Sequence, residues 1–217
     1  MLQRIVRIFI ILKEKLALLF QDERVESMWL YEGILKILDE KGPLPLSALC
    51  YEADSLFLGD EFTHGPSEIY TVLNKEKELF SIKDGMISIN PGKQPLKLSV
   101  FAELPGVGAH QLRVDFTRGQ FILIEWRDKD SPRFNGVSEP KQPGDIAAFK
   151  RKVYKSAIWN WDKSYLSGEG IILDGFTWSV KLKTKSAVYE RSGTNKFPVK
   201  WKILQGGIRE LTGYPFG

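Results

Sequence analysis

Asp115 and Glu125 are the carboxylates whose spacing comes nearest to a catalytic pair. Followed by Trp126 and Arg127, they mimic the Asp … Glu-x-Lys pattern of metal-dependent nucleases on adjacent strands. Cleavage of that kind needs both carboxylates converging on one ion. A two-residue turn at Arg118-Gly119 pairs Asp115 with Ile122, and side-chain alternation then turns Glu125 to the opposite side. Arg127 stands where the catalytic lysine belongs. A one-residue change of register would restore the pair, so a metal-dependent nuclease-like enzyme is one alternative to a non-catalytic adaptor, and a purely protein-binding structural or inhibitor protein is the other. No other catalytic or metal-binding group emerges. Gly106-Val107-Gly108 starts like a dinucleotide loop, but the third glycine is absent and a strand follows where a helix is needed. His64 and His110, the two histidines, read as surface or turn residues outside any triad or zinc spacing. No cofactor is expected.

The basic residues are more informative. Lys181, Lys183 and Lys185 alternate, which puts them on one face of a strand while Val180 and Leu182 face the core. Lys150, Arg151, Lys152 and Lys155 lie on a helix expected over 145–161. Lys196, Lys200 and Lys202 open a last helix, where free backbone N–H groups favour anions. Trp159, Trp161, Tyr165 and Tyr189 are near them in sequence and have rings that stack on bases. The nucleic-acid-binding candidates are therefore Lys150, Arg151, Lys155, Lys181, Lys183, Lys185, Lys196 and Lys200. The competing reading makes these lysines a solvated face and the aromatics core.

The elements that must position these residues form an α+β chain with three parts: an amphipathic helix in 1–27, a winged-helix-like domain in 28–90 and a basic α+β domain in 91–217. In the middle part, Tyr31, Ile34, Leu35 and Leu38 make one helical stripe, ended by Gly42 and Pro43. Ser47 is placed to cap a second helix bearing Leu49 and Cys50. Gly65-Pro66-Ser67 opens a third, with Ile69, Tyr70, Val72 and Leu73 as its apolar positions. Leu79, Phe80 and Ile82, then Asp84-Gly85, then Met86, Ile87 and Ile89 read as a two-stranded wing.

The run Ile34-Leu35 … Gly42-Pro43-Leu44-Pro45-Leu46-Ser47 … Ile69-Tyr70-Thr71-Val72-Leu73 … Leu79-Phe80-Ser81-Ile82-Lys83-Asp84-Gly85 resembles the HARE-HTH domain and, more loosely, the LOTUS domain. It covers about a quarter of the chain, and Asp54–His64 is an atypical insertion. The resemblance implies a winged helix-turn-helix. It also implies links to transcription and chromatin factors, to the delta subunit of bacterial RNA polymerase, and to RNA-associated or protein-docking roles.

Charge argues against DNA reading by that module. Residues 1–92 hold 10 Lys+Arg and 15 Asp+Glu, net −5, and the third helix region carries Glu68, Glu76 and Glu78 against Lys75 and Lys77. Subtraction from the totals leaves 31 − 10 = 21 basic and 27 − 15 = 12 acidic residues in 93–217, net +9. An acidic face repels phosphates, and a basic one attracts an anionic partner. Nucleic acid is thus expected on 93–217, and a protein partner or self-association through 1–90.

The single cysteine, Cys50, excludes an internal disulfide framework and points to the cytoplasm; its apolar helix suggests a buried structural thiol. Residues 1–20 are interrupted by Arg4, Arg7, Lys13, Glu14 and Lys15, so no membrane span is expected. That helix packs on the chain or a second copy, lies on a membrane surface, or binds another protein. In the basic region, 96–104, 111–117 and 120–127 read as strands. The segment 128–144 is a polar Pro/Gly loop, 176–183 and 187–191 form a second hairpin, and Trp201, Leu204, Ile208 and Leu211 stripe a final helix that Pro198 opens.

Overall fold

The computed structural model describes residues 30–56, 65–106, 108–126, 137–138, 144–166, 175–214 and 216. The amphipathic helix expected in 1–27 and most of the 128–144 loop lie outside them. The chain is α+β and divides into two compact units, Met1–Asn90 and Pro91–Gly217.

In the first unit, helix α1 is described over 30–41. Its stripe buries Ile34, Leu35 and Leu38 completely or nearly so. Gly42, at φ +79°, ends it by donating to the Leu38 carbonyl. Strand β1, Leu44–Pro45, leads directly into α2, Leu46–Leu56, and α3 spans Pro66–Lys75. Ser47 is therefore already inside α2 and does not precede it as a cap. Gly65 caps α3, with its N–H donating to Glu68 Oε2 at 2.5 Å. Strands β2, Phe80–Lys83, and β3, Met86–Ile89, form a hairpin whose turn residues Asp84 and Gly85 both have positive φ, the geometry that matches strand twist in a two-residue turn. The sheet order is β1-β3-β2. Two expectations are corrected here. Tyr70 is 41% exposed, because Ile69, Val72 and Leu73 already fill the buried side of α3. Cys50 is half-buried, because α2 turns Leu49 and Ala53 inward.

The second unit is one seven-stranded sheet with the order β7-β6-β5-β4-β9-β10-β8. Its strands are β4 (Pro95–Leu104), β5 (Gly108–Asp115), β6 (Gln120–Trp126), β7 (Val137–Ser138), β8 (Ser164–Tyr165), β9 (Thr177–Thr184) and β10 (Val188–Thr194). All described pairings are antiparallel except β10 with β8. The two hairpins legible in the sequence are thus halves of one sheet, joined by β4 against β9.

Helices α4, Ile146–Ser156, and α5, Trp201–Thr212, cover one face. Asp145 caps α4 by accepting from the N–H groups of Ala147 and Ala148. The helix is shorter than the stripe suggested: Ala157 turns left-handed at φ +46°, and Trp161 lies beyond a 3-10 turn, held by its indole N–H donating to the Ser156 carbonyl at 2.7 Å. The α5 stripe of Trp201, Leu204, Ile208 and Leu211 is buried as expected. Pro198 precedes that helix by a turn and accepts from the Trp201 N–H.

Trp178 is the centre of the covered face. It is fully buried, its indole N–H donates to the Lys196 carbonyl at 2.9 Å, and its ring meets those of Trp161, Tyr165, Phe197 and Trp201. Its cross-strand partners are Ala102 and Gly193, both small enough to leave room for the indole. A Cβ on Gly193 would come within 2.7 Å of the indole ring, whereas one on Gly206, half-buried along α5, would meet nothing within 4 Å. Gly193→Ala is therefore expected to lower stability by about 1–3 kcal/mol through overpacking. Gly206→Ala is expected to raise it by up to about 1 kcal/mol through helix propensity. Urea unfolding of the two variants checks the opposite signs.

Candidate anion-binding face

Alternation along each strand gives the sheet a second face, turned away from the helices. Thr177, Ser179, Lys181 and Lys183 of β9 point there, opposite the buried Trp178, Val180, Leu182 and Thr184. Register extends this parity across the sheet. Lys97 lies between Lys183 and Asp115, Ser99 between Lys181 and Arg113, and Phe101 between Ser179 and Gln111. On β6 the same face carries Gln120, Ile122, Ile124 and Trp126, through the pairs Asp115 with Gln120, Arg113 with Ile122, Gln111 with Ile124 and Ala109 with Trp126.

This face holds a broad depression of about 760 Å³ whose lining includes Lys97, Arg113, Arg118, Lys181 and Lys183, with Asp115 as its carboxylate. Five cations against Asp115 in the lining and Glu190 beside it on β10 leave a local excess of positive charge. The cations are held in place without being consumed. Lys97 Nζ is 3.3 Å from Asp115 Oδ2, and Lys181 Nζ is 2.6 Å from Glu190 Oε1 on the neighbouring strand. Both lysines are well exposed, and an exposed pair is worth only about 0–1 kcal/mol, so either can exchange its carboxylate for a phosphate at small cost. Arg113 Nη2 donates to Gln111 Oε1 at 2.9 Å, and Gln111 Nε2 donates to Ser99 Oγ at 3.2 Å, a polar chain that fixes the guanidinium above the sheet.

Asp115 organises the rim. Its Oδ1 accepts from the Thr117 N–H, the Thr117 hydroxyl and the Arg118 N–H. The Thr117 hydroxyl bond, joined by Lys97 and the Arg118 N–H, pulls its carboxyl down from 3.8 to about 2. The hairpin turn is consequently the four residues 116–119, and Asp115 pairs with Gln120, not with Ile122 as the two-residue turn predicted.

Glu125 still faces the other way. It is buried on the covered face opposite His110, whose Nε2 is 3.6 Å from Glu125 Oε1 and whose ring lies 6.1 Å from that of Phe216. The Asp115/Glu125 pair is thus split between two faces. His110 is a half-buried strand residue facing a carboxylate, so of the expected surface or turn placements the turn is corrected; His64 lies outside the described residues. Among the described residues, no group of three or more His, Cys, Asp or Glu side chains is placed to hold a metal ion. No helix among them is long and apolar enough to cross a membrane.

The structure divides the basic residues singled out from the sequence. Lys181 and Lys183 share the open face, while Lys185 sits past the end of β9 in the connection to β10. Lys150, Arg151 and Lys155 are on α4, in the layer packed against the opposite face. Lys196 is in the loop before α5, and Lys200 is at its N-terminus. The N–H groups expected to be free there are partly used, Trp201 donating to Pro198 and Ile203 to Lys200. Trp159 and Trp161 are buried, Tyr165 packs on Trp178, and Tyr189 shares the Lys93 ammonium with Trp159. These four rings belong to the packing of the covered face. Lys97, Arg113 and Arg118 were missed. The alternation of 97, 99 and 101 and of 111, 113 and 115 was visible, but its alignment with Lys181 and Lys183 required the β4–β9 register.

No protein-family model matches the chain, and no match is found among the curated proteins or the solved structures.

A carboxyl held lower in the folded chain than in the unfolded one stabilises the fold above its unfolded value, and that contribution is lost as pH falls through the folded value. For Asp115 the window runs from 3.8 down to about 2. Asp115→Asn is expected to reduce the acid sensitivity of the urea midpoint in this window, with little pH-dependent difference from wild type near neutrality.

Proposed function

We propose that this chain is a non-catalytic cytoplasmic adaptor that binds nucleic acid through the open sheet face of 91–217 and docks a protein partner through its N-terminal unit. The observation that carries the reading is the depression in which Lys97, Arg113, Arg118, Lys181 and Lys183 outnumber Asp115 and the neighbouring Glu190. Phosphate backbones are recognised by such cations, and released counterions supply much of the affinity. Neighbouring same-face residues on a strand are about 6.6 Å apart, so Lys181 and Lys183 present two charges at a repeat close to that of consecutive phosphates.

The N-terminal unit fits the docking role better than a DNA-reading one. Its order of helix, short strand, two helices and hairpin supports the winged helix-turn-helix that the HARE-HTH resemblance implies. The exposed side of α3, however, carries Glu68, Tyr70, Asn74 and Lys75, with Glu76, Lys77 and Glu78 just beyond, three acids against two lysines. Such a surface repels phosphates and offers an aromatic anchor to a protein.

The test is fluorescence anisotropy with labelled nucleic acid across a salt series. Lys97/Lys181/Lys183→Gln is expected to weaken binding at least tenfold and to shallow the log–log salt slope by about 2, three lost contacts at about 0.7 each for a single strand. Lys150/Arg151/Lys155→Gln, on the helix layer, is expected to stay within about threefold of wild type. Equal losses in the two triple variants, or no binding at low salt, would overturn the assignment.

A further inference from the structure

We infer that the nucleic acid accepted by the open face is single-stranded, with its bases stacked on Phe101 and Trp126. This rests on the phosphate-binding reading of the same face and specifies its ligand. Phe101 is two strand positions beyond Ser99 and four beyond Lys97, all on the open side of β4. Trp126 is on the open side of β6, continuing the line of Ile122 and Ile124. Their ring centroids are 6.2 Å apart and tilted by 59°. The strand between them places Gln111 opposite Phe101 and only the methyl group of Ala109 opposite Trp126, and the two rings meet on the diagonal across β5.

The helices pack on the other face of the sheet, so packing against them does not account for this pair, which continues the line of Ile122 and the buried Ile124. The helices lie against Trp178 and its neighbours on the covered side, while Phe101 and Trp126 face the side that holds the cations and remain only half-buried. Gln111 joins the two ends of the face: it is the cross-strand partner of Phe101, and its amide bonds both Ser99 and Arg113. A ligand lying along the strands therefore meets charge at the Lys97 and Lys183 end and aromatic surface at the Phe101 and Trp126 end.

Those are the two chemistries of a single strand, whose phosphates and unpaired bases are both accessible. A duplex keeps its bases stacked inside and offers a flat face its phosphates alone, so the ring pair would gain nothing from it. Base stacking on aromatic side chains is sequence-tolerant and is lost when the ring is replaced by an aliphatic group.

Anisotropy with an oligothymidylate of about twelve nucleotides, and with a mixed-sequence duplex of the same length, tests this. The single strand is expected to bind at least tenfold tighter than the duplex. Phe101→Leu and Trp126→Leu keep an apolar side chain and remove the ring. Each is expected to weaken single-strand binding by about 5- to 150-fold while leaving the salt slope unchanged, because no phosphate contact is removed. Duplex binding as tight as single-strand binding overturns the inference on the wild-type protein alone, whether or not either leucine variant folds. Wild-type affinity in both folded leucine variants does so too. In both cases an affinity that still depends on Lys97, Lys181 and Lys183 leaves the phosphate-binding reading standing. No binding of either probe at low salt removes both.

Discussion

The antiparallel pairing of β4 with β9 is the constraint on which the C-terminal unit depends. It joins segments far apart in the chain, Lys97 beside Lys183 and Val100 beside Val180. The entropic cost of such a closure grows slowly, by about 0.6 kcal/mol for each doubling of loop length. Against it stand Leu98, Val100, Trp178, Val180 and Leu182, all essentially buried by this pairing and the helices above it. Fully burying a side chain of that kind is worth about 1.5–3 kcal/mol, so the burial outweighs the extra closure cost several times over. The same register fixes the opposite face without further interactions, because period-two alternation leaves Lys97 and Lys183 only one place to point.

Trp178 shows why the two faces are specialised. A fully buried indole needs a hydrogen-bond partner, small neighbours and a ring lining, and each is supplied by a different segment: the Lys196 carbonyl, Ala102 and Gly193, and the rings around Trp201. The close approach of Gly207 on α5 to Lys152 and Phe149 on α4 then draws the helix layer together. With most of the apolar demand met on that side, the open face packs little at its Lys97 and Lys183 end, and Ile124 is its buried apolar side chain near the Trp126 end. Exposed polar and charged groups are tolerated there because they remain in water.

The sequence was legible where the signal is local. The Asp145 cap, the Asp84-Gly85 turn, the α5 stripe and the alternation from Lys181 to Lys183 each depend on a few adjacent residues, and each is found in the structure. It was illegible where the answer depends on which strand neighbours which. Lys150, Arg151 and Lys155 looked like companions of Lys181 because they are basic and lie in the same half of the chain, yet a sheet separates them. Lys97 and Arg113 looked unremarkable because only register brings them beside Lys183 and Lys181. The hairpin turn was misread for a related reason. The side chain of Asp115, by bonding Thr117 and Arg118, converts an expected two-residue turn into a four-residue one. Slipping the pairing by two positions preserves side-chain parity, which is why Glu125 lies on the far face under either register.

Charge then decides between the units for a phosphate ligand. Exposed charges more than about 8 Å apart are largely screened at physiological ionic strength, so the chain's overall +4 says little about where an anion goes. What counts is charge density within that distance. On the open face Lys97 is the cross-strand neighbour of Lys183, and Ser99 alone separates Lys181 from Arg113. Around α3 the corresponding groups are Glu68, Glu76 and Glu78, interspersed with Lys75 and Lys77. Packing four cations this closely costs mutual repulsion, which Asp115 and Glu190 offset only at the edges. A polyanion laid across the centre relieves the remainder, and that relief is available on this face and absent from the acidic unit.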